Sequence, residues 1–194
     1  MPDIQVKPKT ERKVGDICSV YIYTTDGWDG GTPHKSRLFI ERLRCKNGMT
    51  SKEIKANFWV PHTSGRESMT KTRWTTFSAE VSESLAEVRE TFVKLIETKM
   101  TPAEMQEFAV KLLPGEGDRV QTTRDQIAAL FGEGTGTRGA TRWDAYNAVT
   151  EYVTHERKSR VQEGSGRSVE SNRFLKVLEK DKLAPRALEL LALN

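Results

Sequence analysis

A chain of 194 residues, 36% of them hydrophobic and 30% charged, is long enough to bury one ordinary core without disulfide staples. Its apolar runs are too short to cross a bilayer, and the opening MPDIQVKPKTERK lacks an apolar segment, so neither a membrane span nor a secretory signal is expected. The net charge of +4 is unevenly spread: residues 33–73 hold ten Lys/Arg against three Asp/Glu, a net of +7, whereas residues 74–113 hold four against seven, a net of −3. Such a segment attracts polyanions, or else it is a solvated face lying beside an acidic helix.

In chain order, residues 1–13 read as a polar arm. VGDICSVYIYTTD then alternates around Ile17, Val20 and Ile22 and predicts a strand. The turn residues of DGWDGG lead into RLFIERLRC, a second strand in which Arg37, Phe39 and Glu41 share one face and Leu38, Ile40 and Arg42 the other. Asn47-Gly48 is another turn, Ile54 to Val60 a third strand, and Pro61 to Arg73 a polar loop. Cys18 and Cys45 fall in these strands and read as reduced, buried thiols of a cytoplasmic protein, with no second ligand at metal spacing.

Helices follow. Ser78 to Glu97 carries an apolar stripe, Thr101-Pro102-Ala103-Glu104 is a capped start, and Pro114-Gly115 a stop. A short helix from Thr123 to Phe131 precedes a glycine-rich linker over residues 132–142. Thr141 and Asp144 then cap a helix with Trp143, Tyr146, Thr150 and Val153 on one face. VQEGSGRS reads as a second joint, with helical patterns at Val169–Lys180 and Pro185–Leu193. The expected architecture is α+β: an N-terminal antiparallel hairpin or small sheet followed by a helical half. Its expected parts are an α+β domain over residues 14–131, the linker, and C-terminal helices over residues 143–194 that pack on the same domain.

No catalytic motif stands up. Gly134-Thr-Gly136-Thr-Arg-Gly139 matches the dinucleotide-binding fingerprint by letter, but a helix rather than a strand is expected before it. His155-Glu156 lacks the second histidine of a zinc-protease helix, and Glu151 with His155 reads as a surface pair at i, i+4. His34 and His62 are isolated, and neither a nucleophile elbow nor a Cys–His pairing signature occurs. Neither enzymatic activity nor a metal or other cofactor is expected.

Two blocks carry a resemblance. Arg42-Leu43-Arg44-Cys45-Lys46-Asn47-Gly48-Met49 resembles the R-x-x-C-x-N-G-(M/L) block of a family of uncharacterised phage- and plasmid-encoded proteins. Thr141 to Arg157, with WDAYNAVTEYVTHER, resembles that family's tryptophan, Tyr-Asn-Ala and Thr-Glu-Tyr helix. The resemblance spans residues 14–194 and implies a mobile-element context of replication, recombination and host defence, in relatives that commonly carry a further N-terminal region. It implies no biochemical activity.

The function expected is non-enzymatic nucleic-acid binding, with single-stranded DNA foremost, in the cytoplasm of a bacterial host. Arg37, Arg42, Arg44, Lys46, Lys55, Arg73, Arg138 and Arg142 are the candidate phosphate contacts, and Trp59 and Trp74 the candidate stacking platforms. The alternative is a module that inhibits a host protein such as a defence nuclease, because Arg and aromatic residues suit protein interfaces as well. A homo-oligomeric, ring-forming component is a third reading, which a size determination separates.

Overall fold

The computed structural model of the chain describes residues 4–6, 16–25, 34–42, 47–50, 57–60, 66–135, 137–157, 168–169 and 181–192. Most of these residues are helical. Strands β1 (Ile4–Val6), β2 (Asp16–Thr25), β3 (His34–Arg42), β4 (Asn47–Thr50) and β5 (Asn57–Val60) precede every described helix. All pairings are antiparallel: β1 with β2, β2 with β3, and the far edge of β3 with β5 along its first half and β4 along its second. Strands β2 and β3, the two arms of the expected hairpin, pair antiparallel, and the connection expected to join them, residues 26–33, lies outside the described residues.

Helix α1 (Arg66–Glu97) begins well before the expected Ser78, which corrects the reading of its start as a loop. Hydroxyl-rich stretches look like loops because Ser and Thr compete for backbone groups. Here the hydroxyls bond within the helix: Thr75 donates to the Lys71 carbonyl at 3.1 Å, Thr76 to Thr72 at 3.3 Å and Ser82 to Ser78 at 3.4 Å. With no Gly or Pro between Gly65 and Glu97, helix once nucleated propagates cheaply into the polar stretch.

Helix α2 (Pro102–Leu112) starts as the sequence reading places it. The Glu104 amide donates to Thr101 Oγ1 at 3.3 Å, and the Glu104 carboxylate accepts from the Thr101 N–H at 2.7 Å. Pro114 and two glycines at positive φ, Gly115 and Gly117, turn the chain, and Arg124 donates to the Leu113 and Gly115 carbonyls, each at 2.7 Å through Nη2. Helix α3 (Asp118–Glu133) therefore begins five residues earlier than the expected Thr123.

Helix α4 (Arg142–Glu151) is central, buried at every position from Trp143 to Glu151. The end of α1 is stitched to its start: the Met100 amide donates to the Ala140 carbonyl at 3.1 Å and the Arg142 amide to Thr98 at 2.9 Å. Phe92 of α1 consequently meets Trp143, ring centroids 4.8 Å apart, with Tyr146 at 6.0 Å from Trp143. Each such fully buried large side chain contributes about 1.5–3 kcal/mol of transfer free energy. After Glu151 the helix widens into a π turn over Tyr152–Glu156, closed by the Arg157 amide on the Tyr152 carbonyl at 2.8 Å.

Helix α5 (Leu183–Ala192) covers α2 and α4, burying Ala184, Ala187 and Leu191 at i, i+3 and i+7. Asp181 caps it, accepting from the Ala184 amide at 2.9 Å, and Arg157 reaches the same carboxylate at 3.4 Å. The helical pattern expected at Val169–Lys180 lies almost wholly outside the described residues. Among the described residues no helix is long and apolar enough to cross a membrane, and no group of three or more His, Cys, Asp or Glu residues is placed to hold a metal ion.

Candidate nucleic-acid interface

Residues directly opposite one another in an antiparallel pair share a face of the sheet, and alternate residues along a strand share it too. The observed register pairs Ile22 with Leu38, Val20 with Ile40, Ile40 with Met49 and Ser36 with Phe58. On this face Ile22 packs against the helical core, Ser36 is wholly buried, and the Thr24 and Ser36 hydroxyls lie 2.9 Å apart. The opposite face joins Tyr21 to Phe39, Tyr23 to Arg37, Lys35 to Trp59 and Arg37 to Asn57. Tyr21 on this face is 44% exposed and Lys35 is half-buried. One face of the sheet thus backs the helices, and the other combines Lys35 and Arg37 with aromatic residues and with Glu41, which lies opposite Ser19.

The expected site residues divide across the molecule. Arg37 and Trp59 share the Tyr21 face, whereas Arg42, five residues after Arg37, falls on the opposite face beside Asn47. Arg44, Lys46 and Lys55 lie outside the described residues. Arg73 and Trp74 are exposed on α1, not on a loop, and the Trp74 ring is tilted against Phe77 at 5.5 Å. That stretch belongs to the helix that packs on β5 and β1.

Arg138 and Arg142 lie at the α3–α4 corner. Arg138 is exposed. Arg142 donates through Nη1 to the Leu191 carbonyl at 2.9 Å and so ties α4 to the last turn of α5. The N-terminus of α4 is also occupied: Asp144 Oδ2 accepts from the amides of Ala140 and Thr141, each at 3.1 Å, and from the Thr141 hydroxyl at 3.0 Å. An anion at this helix end would compete with that carboxylate. The Thr101 N–H, then the Thr101 hydroxyl and the positive charge of Arg142, hold the Glu104 carboxyl below its ordinary value, against a weaker opposing effect of desolvation.

The glycine segment between α3 and α4 is stitched down, not free. Glu151 accepts the Thr135 N–H on both oxygens, at 3.1 and 3.0 Å, and the Thr137 hydroxyl donates to the carbonyls of Leu130 and Gly134 at 2.9 and 3.0 Å. Glu151, read as a surface partner of His155, is a buried clamp on this turn. The π turn follows immediately, so the i, i+4 geometry assumed for that pair does not apply.

The chain matches the family described as Domain of unknown function (DUF932) over residues 4–175. The chain belongs to this family. No curated protein and no solved structure matches it significantly. The DUF932 match takes in the sheet, α1 to α4 and both blocks that carry the sequence resemblance, and it ends before α5. In the fold those blocks meet, because α4 and the π turn pack against β4, whose Asn47-Gly48-Met49 ends the first block.

Three residues of the cationic aromatic face escaped the sequence reading: Tyr21, Tyr23 and Lys35. Their signal is present in Val20-Tyr21-Ile22-Tyr23, where the tyrosines take the parity opposite to the apolar set. Reading only the apolar parity of a strand finds its core face and passes over the other.

Proposed function

We propose that this DUF932-family chain is a non-enzymatic DNA-metabolism protein of phages or plasmids that binds nucleic acid, single-stranded DNA foremost, on the sheet face opposite its core. The observation that carries this reading is the register that sets Lys35 and Arg37 beside Trp59 and Asn57 on the face away from the helices. Local charge supports it, since residues 34–60, which contain β3, β4 and β5, hold seven Lys/Arg against two Asp/Glu, a net of +5 where the whole chain carries +4. The resemblance of the Arg42–Met49 and Thr141–Arg157 blocks to phage- and plasmid-encoded proteins supplies the biological setting, in the cytoplasm of a bacterial host.

Cations on this face act through phosphate neutralisation and counterion release, which are indifferent to base sequence. The double variant Lys35→Gln, Arg37→Gln is predicted to weaken binding of an unstructured oligonucleotide by about tenfold at low salt and to lower the salt dependence by about 0.7 for each phosphate no longer neutralised. Anisotropy titrations of wild type and variant measure both. Wild-type affinity that is absent at low salt contradicts the reading and shifts it to a host-protein partner, to be sought by capture from host lysate.

A further inference from the structure

We infer that Tyr21 and Tyr23 of β2, with Phe39 and Trp59, form a base-stacking ladder, so that the nucleic acid taken by this face is single-stranded and is recognised without regard to sequence. This deepens the nucleic-acid reading above and rests on it. The register sets the four aromatic residues on three neighbouring strands: Tyr21 faces Phe39, Tyr23 faces Arg37, and Trp59 faces Lys35. Neighbouring strands lie about 4.8 Å apart and alternate residues about 6.7 Å along a strand, so the patch measures roughly 10 by 13 Å, room for two or three unstacked bases.

Strands favour aromatic residues for packing, and that preference alone would account for them on the face that backs the core. These four stand on the other face, and Tyr21 keeps 44% of its surface exposed while its neighbour Ile22 packs against the helices. The exposed ring of Tyr21 offers unpaired bases a π surface, and every base has one, which makes the contact tolerant of sequence. In a duplex the base faces are already stacked and give such a ladder nothing to bind. Arg37, level with Tyr23, adds both phosphate neutralisation and a guanidinium plane able to stack.

The test compares single-stranded DNA, its RNA counterpart and a duplex of equal length by fluorescence anisotropy, using the wild-type chain and the variants Tyr21→Leu, Tyr21→Phe and Arg37→Gln, with circular dichroism confirming the fold of each. The expected result is a preference of wild type for the single strands over the duplex. Tyr21→Leu should lose about five- to a hundredfold in single-strand affinity with duplex binding unchanged, and Tyr21→Phe, which keeps the ring, should stay within about twofold of wild type. Equal binding of single strand and duplex by wild type, with Arg37→Gln weakening both alike, overturns the stacking ladder and leaves the nucleic-acid reading intact. Failure of wild type to bind any of the three at low salt overturns both.

Discussion

Glu104 is held by the Thr101 amide and hydroxyl, and that contact makes its charge part of the stability of α2. Its carboxyl titrates below its ordinary value of 4.5 in the folded protein, so the stabilisation is fully present above that pH and is lost as pH falls through the lowered value. Denaturation midpoints measured from pH 6 to pH 3 should therefore fall more steeply for wild type than for Glu104→Gln. Gly134 is constrained for a different reason: a Cβ there would collide with the Leu130 carbonyl oxygen and lie 2.7 Å from Glu151 Oε2 and 3.1 Å from Thr137 Oγ1. Gly134→Ala should destabilise the protein by about 1–3 kcal/mol in chemical denaturation, the usual cost of overpacking, whereas Gly132→Ala meets no atom within 4 Å. Trp143→Ala, which empties the ring cluster with Phe92 and Tyr146, should cost about 3–5 kcal/mol in the same assay.

Elements with a local start signal were legible in the sequence. Thr101 with Glu104 and Thr141 with Asp144 announced α2 and α4, because a capping box is written in four adjacent residues and needs no tertiary contact. The first turns of α1 and α3 were not legible: both are polar and hydroxyl-bearing, and each is carried as helix by continuity with the apolar turns that follow. The π turn after Glu151 has no local signal either, since one extra residue per turn is set by what the flanking turns pack against. The sheet was half legible. Alternation revealed the core parity of β2, but pairing Tyr21 with Phe39 and Lys35 with Trp59 requires a register fixed by loops and core packing far along the chain. The α5 cap tests whether this helix is held as described. Asp181→Ala removes the bonds to the amides of Leu183 and Ala184 and the link to Arg157, and hydrogen exchange in α5 should quicken while exchange in α4 stays slow.

Across the whole molecule, charge and architecture separate together. The strand-bearing segment that ends in the first turns of α1 is basic, the rest of α1 and α2 is acidic, and the sheet has one face for the core and one carrying Tyr21, Lys35 and Arg37. The acidic helices disfavour a polyanion on their own side, in keeping with the proposed use of the sheet face. Of the candidate cations, Arg37 fits this division. Arg142 serves architecture instead, tying α4 to a helix beyond the DUF932 match. The most direct measurement is the affinity of wild type for a labelled unstructured DNA strand between about 50 and 200 mM salt, plotted as log K against log salt. Saturable binding is expected at the low end, weakening about tenfold or more across the range along a straight line. A complete lack of binding at the low end, or an affinity independent of salt, would contradict it.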